Sequence, residues 1–334
     1  MSRPLAALAL RDPGLRDELF PPPLIERLQH LVDCDVDTVI TDFHDPVLGL
    51  GRTEVLITGW GCPRIDDPVL DRMPQLELIA HVAGTVKGHL DPACWRRGIQ
   101  VTTATAANAV PVAEFTVASI VLANKGVAAS ARYYAQHRDR SWSAAAHQVV
   151  GNYGRTIGII GASTIGRLVL HRLRDFDLDV VLFDPTLDRA GAADLGANLL
   201  PLDELMAVSD VVSLHAPVLS ATVGMIGSRQ LSLMKDGATF INTARGVLVD
   251  HDALRAELVA GRIDAVLDVT DPEPLPVDDP LYDLPNVQLT PHVAGSMGTE
   301  LARMSTLILD EVERFVSRQP LLHAVTGSDL SRIA

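Results

Sequence analysis

The segment from Thr156 to Asp184 constrains the fold of this chain more than any other. A β-branched run (Thr156 to Ile160) is followed by a glycine turn (Gly161 to Gly166), a helical stretch (Arg167 to Leu173) and a second apolar run closed by Asp184. Parallel strands cannot be joined by a tight turn and need a crossover helix, so this order predicts a βαβ unit. The chain therefore contains at least one open parallel sheet.

Short apolar runs continue this pattern on both sides of the βαβ unit. Further strands are predicted at Asp210 to Leu214, Ala238 to Asn242, Ala265 to Val269 and Val287 to Thr290. In the first hundred residues, strands are predicted at Thr38 to Ile40, Glu54 to Thr58, Leu76 to Val82 and Ile99 to Thr103. Continuous apolar strands are typical of parallel sheets covered on both faces. The predicted fold class is α/β, with two doubly wound parallel-sheet domains.

Three other segments have a distinct character. Asn108 to Lys125 predicts a long apolar helix, and Leu301 to Phe315 an amphipathic one. The polar stretch from Tyr133 to Asn152, which carries Trp142, is expected to be irregular with helical parts. The longest apolar stretch, Ala109 to Ala123, is interrupted by a proline and a glutamate, so no membrane span is expected.

Charge and cysteine content exclude several classes of function. The formal net charge is −14, and the sequence has no Lys/Arg-rich run that could bind a phosphate backbone, so nucleic acid is not an expected partner. The three cysteines, Cys34, Cys62 and Cys94, are odd in number and widely spaced, which favours neither disulfides nor a structural metal. No metal is therefore predicted. Because the N-terminus also lacks the basic and apolar segments of a signal peptide, a cytoplasmic location is expected.

The glycine turn resembles a dinucleotide-binding fingerprint in its position between a strand and a helix. Gly161 and Gly166 occupy the outer glycine positions, while Ser163 stands at the middle one. Its side chain should crowd a pyrophosphate relative to glycine, although a short hydroxymethyl group can also fit there and donate a hydrogen bond. Asp184 ends the second strand, where a carboxylate can accept hydrogen bonds from ribose hydroxyls and repel a 2'-phosphate. Taken alone, such a turn also occurs for packing reasons in α/β proteins that bind no nucleotide.

Three residues of complementary chemistry follow predicted strands. Arg245 follows Ile241 to Asn242, Glu273 lies shortly after Asp268, and His292 follows Thr290. Parallel α/β sheets bind ligands beyond the carboxyl ends of their strands. A guanidinium can hold a carboxylate, an imidazolium can protonate a carbonyl oxygen, and a carboxylate can orient the imidazole. Each residue alone also has an ordinary explanation, as a surface loop, an acidic loop or a helix-capping histidine.

Several strings in register resemble the D-isomer-specific 2-hydroxyacid dehydrogenase family, which is NAD-dependent. They are INTARGVLVD (Ile241 to Asp250), LDVTDPEPLP (Leu267 to Pro276), NVQLTPHVAG (Asn286 to Gly295), VSLHAPVLSATVGMI (Val212 to Ile226), NAVPVAEF (Asn108 to Phe115) and HVAGTVKGHLD (His81 to Asp91). The resemblance spans nearly the whole chain. It implies a hydride transfer between NAD and a small 2-keto or D-2-hydroxy acid.

The resemblance also implies a residue for each task. Arg245 would bind and polarise the substrate, His292 would be the acid/base, and Glu273 would be its hydrogen-bonded partner. The implied cofactor site comprises Gly161, Ser163, Thr164, Ile165, Gly166, Asp184, His215, Ala216, Pro217, Thr243, Ala244 and Asp268, with Asp268 on the nicotinamide carboxamide. The implied substrate site comprises the backbone of Val82, Ala83 and Gly84, together with Asn108, Arg245 and Lys87.

The implied architecture is a Rossmann NAD-binding domain inserted into a flavodoxin-like substrate domain. Residues 104–299 would form the NAD-binding domain, and residues 1–103 with 300–334 the substrate domain. A homodimer is the family expectation.

Departures from the family pattern leave alternatives open. Ser163 replaces a glycine, Thr270 replaces a usual aromatic residue, and Lys87 with His89 occupies a loop where Asn and Asp are more usual. Lys87 can meet a second anionic group or simply be a solvated loop lysine, and Trp60 can limit the substrate side chain. Glu273 argues against a formate dehydrogenase, because the resemblance to that enzyme implies a Gln-His pair where this sequence has Glu273 and His292. Three alternatives remain: a phosphite-type or phosphonate-type dehydrogenase, an NAD-sensing, corepressor-like module of the same fold, and a nucleotide-free regulator of that fold.

Overall fold

The computed structural model describes residues 3–45, 48–139 and 150–331. The chain divides into two compact units: unit 1 comprises Met1–Asn108 and Ser296–Ala334, and unit 2 comprises Ala109–Gly295. Trp142 and its neighbours at 140–149 lie outside the described residues. Each unit has its own parallel sheet, so the predicted α/β class with two doubly wound sheets is confirmed.

The sheet of unit 1 has five parallel strands. They are β1 (Leu5–Ala9), β2 (Asp33–Ile40), β3 (Val55–Thr58), β4 (Leu78–His81) and β5 (Gln100–Thr103). Their order is β2-β1-β3-β4-β5, which is the flavodoxin-like order. The sequence predicts four of these strands but not β1, because its alanine-rich run LAALA lacks the β-branched residues typical of strands.

Helices cover both faces of this sheet. They are α1 (Pro13–Leu19), α2 (Pro22–Leu31), α3 (Asp67–Asp71), α4 (Ala93–Arg96) and, at the end of the chain, α12 (Leu301–Val316). Because side chains alternate along a strand, Val55 and Ile57 of β3 pack in the core that includes α1, α2 and α12. Leu56 between them packs in the opposite core with α3 and α4. The predicted apolar stripe of α12 lies in the first of these cores.

The strand order of unit 1 reverses between β1 and β3, and the loops that follow these two strands contact each other. Arg11 follows β1, and its backbone N–H donates to Trp60 O after β3 at 2.9 Å. Gly61 has a φ of +72°, and a Cβ there would lie 2.9 Å from the Arg11 Cα. The loops after β1 and β3 are therefore in direct contact at this point.

The sheet of unit 2 has seven parallel strands. They are β6 (Arg155–Ile160), β7 (Leu178–Phe183), β8 (Asn198–Leu199), β9 (Val211–Leu214), β10 (Thr239–Asn242), β11 (Asp264–Leu267) and β12 (Val287–Leu289). Their order is β12-β11-β10-β9-β6-β7-β8. The first six strands of the unit follow the Rossmann order, and β12 extends the sheet beyond β11. The two-residue strand β8 is not predicted from the sequence.

Helices also surround the sheet of unit 2. They are α5 (Thr105–Asn124), α6 (Val127–His137), α7 (Thr164–Leu173), α8 (Arg189–Asp194), α9 (Leu202–Val208), α10 (Ser228–Leu233) and α11 (His251–Val259). Short 3-10 turns in the molecule are Leu50–Arg52, Gly246–Leu248, Pro280–Tyr282, Gly298–Glu300 and Asp329–Ser331. Two apolar cores, one on each face of the sheet, hold the unit together.

Helix α5 is long and apolar enough to cross a membrane by length and composition alone, and 44% of its most apolar window is buried. A buried core helix meets the same criterion, and Ala113 and Ile120 of α5 pack in one core of unit 2. The polar stretch from Tyr133 to Asn152 begins inside α6, which ends at His137.

Candidate active site

The glycine turn of unit 2 lies where the strand order reverses, between β6 and β9. Gly161 has a φ of +96°, and a Cβ there would lie 2.8 Å from the Ala216 backbone nitrogen. A Cβ at Gly166 would overlap the Gly161 carbonyl oxygen. The two outer glycines therefore let the turn, helix α7 and the segment after β9 approach one another closely.

Ser163 has a task that the sequence did not reveal. It is the N-cap of α7, and its Oγ accepts a hydrogen bond from Gly166 N at 3.3 Å. Thr164 and Ile165 form the first turn of the helix. The hydroxyl therefore stabilises the helix end that resembles a pyrophosphate-binding site.

Asp184 follows β7 and is tied to the glycine turn. Its Oδ2 accepts from Ala162 N at 2.7 Å, and its Oδ1 accepts from Thr186 N at 2.8 Å and Thr186 Oγ1 at 2.6 Å. Burial alone would raise the pKa of the Asp184 carboxyl, but these hydrogen bonds outweigh it, and the pKa is lowered from its ordinary value. A negative charge is thus fixed at the end of β7.

His215, Ala216 and Pro217 follow β9 beside the glycine turn. His215 Nε2 lies 2.9 Å from Ser213 Oγ, and burial lowers the pKa of His215 to about 3, so the ring is neutral. Its Nδ1 is buried without a hydrogen-bond partner among the residues that the structure describes. The orphaned polar atom beside the turn, the charged Asp184 and the N-terminus of α7 all fit a dinucleotide.

The Arg245 turn follows β10 and is fixed by buried polar side chains. Asn242 Oδ1 accepts from Ala244 N at 3.0 Å, and Asn242 Nδ2 donates to Arg245 O at 3.0 Å. Thr243 Oγ1 lies 3.0 Å from Thr116 Oγ1 of α5. These bonds hold the backbone from which the Arg245 guanidinium projects.

The guanidinium of Arg245 is half-buried. Its Nη1 donates to Ala244 O at 2.6 Å. Burial lowers the pKa of Arg245 from its ordinary value, and the negative charge of Glu273 acts in the opposite direction. Arg245 and Glu273 are therefore close enough to interact electrostatically, although they follow different strands.

His292 and Glu273 form a direct pair. His292 Nδ1 lies 2.7 Å from Glu273 Oε1, and the two side chains are 48% and 41% exposed. With Nδ1 engaged by the carboxylate, Nε2 is the ring nitrogen left for proton exchange with a substrate. Three residues that the sequence spreads over 48 positions, from Arg245 to His292, are thus grouped at the ends of β10, β11 and β12.

Asp268 fastens the segment that carries His292. Its Oδ1 accepts from Thr290 Oγ1 at 2.7 Å and Val293 N at 2.8 Å, and its Oδ2 accepts from Ala294 N at 2.9 Å. His292 has a φ of +56°, a strained conformation for a side chain with a Cβ. The buried Asp268 carboxylate thus stabilises the unusual backbone at His292, in addition to any contact with a cofactor.

The loop after β4 carries the predicted carboxylate site of unit 1, with one correction. The N–H of Val82 donates to Thr58 O at 2.7 Å, so it is already used by the sheet and is not a donor to a substrate. Gly84 O accepts from Thr105 Oγ1 at 2.8 Å, which holds the loop. The N–H groups of Ala83 and Gly84 remain the candidate donors of this segment.

Asn108 lies over the same loop. Its Oδ1 accepts from Ser296 N at 2.8 Å, and its Nδ2 lies 3.8 Å from the position that a Cβ on Gly84 would take. The amide is thereby oriented with its donor toward the loop. Lys87 is exposed in this loop, and its backbone N–H donates to Thr85 Oγ1 at 3.3 Å.

Two histidines near this loop were not recognised as neighbours from the sequence. The rings of His81 and His89 lie 4.5 Å apart between centroids, and His81 Nδ1 lies 2.8 Å from Thr58 Oγ1. Burial lowers the pKa of both rings, and in His81 the neighbouring His89 adds to this effect. Trp60 is 37% exposed and follows β3. Among the described residues, no cluster of three or more His, Cys, Asp or Glu residues is arranged to hold a metal.

A Rossmann sheet with a glycine turn at its switch point and an acid–base pair beyond neighbouring strands defines a nicotinamide-dependent oxidoreductase. Residues 120–294 match the model of the "D-isomer specific 2-hydroxyacid dehydrogenase, NAD binding domain". The chain belongs to the D-isomer specific 2-hydroxyacid dehydrogenase family, whose members act on CH–OH groups with a nicotinamide dinucleotide as cofactor.

Individual relatives differ in length and name. The chain is 35% identical to a glyoxylate reductase of Korarchaeum cryptofilum over 256 residues. This match covers 75% of this chain and 76% of that protein. It is 31% identical over 264 residues to a D-3-phosphoglycerate dehydrogenase of Archaeoglobus fulgidus, covering 78% of this chain but 49% of that one. The chain thus spans about half the length of the phosphoglycerate dehydrogenases it matches.

A solved structure has a similar fold over nearly the whole chain. The TT0316 protein from Thermus thermophilus is 31% identical, with a TM-score of 0.76, and the match covers 96% of this chain and 100% of that one. The two-domain parallel-sheet architecture described above is therefore similar to that of a known structure.

Proposed function

We propose that this protein reduces a small 2-keto acid to the D-2-hydroxy acid with NADH, and catalyses the reverse oxidation with NAD. The observation that carries the proposal is the His292–Glu273 pair, with Nδ1 and Oε1 2.7 Å apart and Arg245 within electrostatic range. Anion binding, proton transfer and orientation of the proton donor are the three tasks that this reduction requires of a protein.

Arg245 is proposed to bind the substrate carboxylate and polarise its carbonyl. A planar guanidinium can donate two parallel hydrogen bonds, which fixes both the position and the orientation of a keto acid. Its partial burial strengthens this interaction, because charges attract more strongly where water is excluded. The N–H groups of Ala83 and Gly84 and the amide of Asn108 are proposed as further substrate contacts.

His292 is proposed to hold the proton that is transferred. In reduction, the imidazolium gives its Nε2 proton to the carbonyl oxygen; in oxidation, the neutral imidazole takes the proton of the hydroxyl. Glu273 stabilises the charged ring and fixes the tautomer through Nδ1. When bound, the nicotinamide supplies the hydride that adds to the carbonyl carbon, or accepts it in the reverse direction.

The cofactor is proposed to lie on the glycine turn of unit 2. The N-terminus of α7, with Ser163 to Gly166, would face the pyrophosphate, and Asp184 would accept hydrogen bonds from the ribose. His215, Ala216, Pro217, Thr243 and Ala244 line the adjoining strand ends. Asp184 is the residue proposed to favour NAD over NADP.

The function is tested by the oxidation of NADH, followed by absorbance, with a panel of 2-keto acids. The panel contains glyoxylate, hydroxypyruvate, pyruvate, and branched, aromatic and phosphorylated members, with phosphite and NAD in a separate assay. Turnover with a keto acid supports the proposal, and the preferred member identifies the substrate class. Turnover with phosphite alone, or NADH binding without turnover of any member, would favour the alternatives instead.

A homodimer is proposed as the working assembly. Helix α6, whose residues the structure describes in full, has no buried residue. Leu122 of α5 and Val127 and Tyr134 of α6 are 51%, 41% and 59% exposed. Apolar surface of this kind is typical of a protein–protein interface. Sedimentation velocity at several protein concentrations tests the assembly, and a monomer at all concentrations would contradict it.

A further inference from the structure

We propose that His251 is a positioning residue, which fixes the Arg245 turn and the Glu273 loop relative to each other through two hydrogen bonds of one neutral imidazole. The inference rests on the proposed function, since it concerns the same reacting groups. His251 does not carry the chemistry itself. It is the first residue of α11 and is 8% exposed.

Both ring nitrogens of His251 contact backbone atoms of different loops. Nδ1 lies 3.2 Å from Val249 O, and Nε2 accepts a hydrogen bond from Asp271 N at 3.2 Å. A carbonyl oxygen only accepts and a backbone N–H only donates, so Nδ1 must carry the proton and Nε2 must be bare. The two contacts therefore specify a single state of the ring, the neutral Nδ1–H tautomer.

The two backbone atoms belong to the segments that present the reacting groups. Val249 N donates to Gly246 O at 2.9 Å, which closes the turn that begins immediately after Arg245. Asp271 lies two residues before Glu273. A movement of either atom that the ring holds would be passed along a short stretch of chain to Arg245 or to Glu273.

A second contact between the same segments makes the arrangement tight. Gly246 has no Cβ, and a Cβ there would overlap the Thr270 carbonyl and lie 2.6 Å from Asp271 N. The Arg245 turn and the Glu273 loop therefore touch at Gly246 and are joined a second time by His251. Two separated attachments restrict rotation of one segment against the other, which a single contact does not.

The acidic residue near His251, Asp279, already has a cationic partner. Burial raises the pKa of the Asp279 carboxyl, but the hydrogen bonds from Arg255 and Leu281 outweigh burial, and the pKa is lowered from its ordinary value. Arg255 Nη2 lies 2.7 Å from Asp279 Oδ2, and Asp279 Oδ1 accepts from Leu281 N at 3.0 Å. Because Asp279 already has a cation as its partner, it does not require a second one in His251.

Three substitutions separate the two hydrogen bonds. His251→Gln places an amide oxygen near the position of Nε2 and keeps an acceptor for Asp271. His251→Asn places an amide group near the position of Nδ1 and keeps a donor for Val249. His251→Phe keeps a planar ring and removes both bonds. His171→Phe is the matched control, because His171 is an exposed histidine of the same unit on α7.

Steady-state kinetics measure the catalytic consequence. Loss of the hydrogen-bond partner of a buried backbone group has a free-energy cost equivalent to about a 5- to 150-fold change in an equilibrium constant. We therefore expect His251→Phe to lower kcat/KM for the keto acid at least about fivefold. Gln and Asn should fall between Phe and the wild type, and the Kd for NADH should stay unchanged. Equal kcat/KM for Phe and wild type, or Gln and Asn no better than Phe, would overturn the proposal.

Nuclear magnetic resonance tests the two bonds independently of any turnover. The nitrogen chemical shifts of His251 should report the Nδ1–H tautomer, and exchange of the Asp271 amide with solvent should be faster in His251→Phe than in His171→Phe. The Nε2–H tautomer, or an unchanged Asp271 amide, would refute the bonds themselves. If the bonds are present but no keto acid is turned over by the wild type, the proposed function fails and the geometry stands.

Discussion

Arg245 is the residue whose chemistry is hardest to replace. An ammonium is a point charge and cannot engage carboxylate and carbonyl with the planar geometry of a guanidinium. We therefore expect Arg245→Lys to lower kcat and to raise the KM of the keto acid. Removal of one partner of a buried charge pair costs about 3–5 kcal/mol, so Arg245→Ala should lower kcat/KM at least about a hundredfold. Near-normal turnover in the alanine variant would refute its assignment.

Glu273 is expected to assist catalysis through its hydrogen bond to Nδ1 of His292. Reduction needs the protonated imidazole and oxidation the neutral one, so the two directions should have opposite pH dependence, which rate–pH profiles in both directions measure. Glu273→Gln keeps the shape of the side chain but removes its charge, so kcat for reduction should fall while the Kd for NADH stays unchanged. An unchanged kcat in the variant would show that Glu273 does not assist His292.

Asp184 should determine which cofactor binds. Its carboxyl pKa is lowered by hydrogen bonds from Thr186 and Ala162 despite partial burial, so it is negative at neutral pH. A 2'-phosphate would meet a fixed like charge there, and NADH should bind more tightly than NADPH. Fluorescence titration with both cofactors measures this preference, and Asp184→Asn should reduce it. Tighter binding of NADPH by the wild type would mean that a neighbour such as Arg189 compensates.

The N-terminus of helix α7 contributes to stability through its cap and is also part of the proposed cofactor site. Ser163 caps this helix through Gly166 N, but its side chain also stands where glycine gives a pyrophosphate more room. Glycine is nearly as good an N-cap, so Ser163→Gly should cost only a few tenths of a kcal/mol and should leave NADH binding unchanged or tighter. Ser163→Ala should cost about 1 kcal/mol. Thermal unfolding without cofactor and NADH titration separate the two effects.

A large loss of NADH affinity in Ser163→Gly, without a change in thermal unfolding, would contradict this prediction. It would mean that the hydroxyl itself contacts the phosphate, which is compatible with its geometry because the oxygen accepts from Gly166 and its proton is free to be donated.

Most elements could be predicted from the sequence because apolar runs of a parallel sheet are continuous. Strand β2 was recognised only at Thr38 to Ile40, since its first half alternates exposed aspartates with other residues at the sheet edge. Strand β1 is short and alanine-rich, and β8 has two residues. Local β-propensity therefore fails to predict a strand where pairing with neighbouring strands, rather than the residue types, makes the segment extended.

Arg245, Glu273 and His292 are candidates from the sequence because of their residue types and their positions after strands, and the structure brings His292 and Glu273 into contact. The contacts that support them cannot be predicted in this way. The fastening of His292 by Asp268, the cap formed by Ser163 and the bridge formed by His251 depend on contacts between distant segments. The commitment of the Val82 N–H to Thr58 O is of the same kind. No local pattern encodes such contacts, because they arise only when the sheets are assembled.

The two units contain different residues that the proposed function involves. Unit 2 contains the glycine turn, Asp184, Arg245 and the His292–Glu273 pair, and unit 1 contains the loop of Ala83 and Gly84. We propose that His292 supplies the proton in the reduction of a keto acid, for which a bound nicotinamide would supply the hydride to C2.

This proposal is tested by reduction of the preferred 2-keto acid with NADH deuterated at both C4 positions of the nicotinamide. The product is analysed by chiral chromatography and mass spectrometry. We predict a D-2-hydroxy acid with one deuterium at C2 for the wild type, and a rate lower by about a hundredfold to ten-thousandfold for His292→Ala. A product of L configuration, a product without deuterium, or an undiminished rate in the variant would contradict the account.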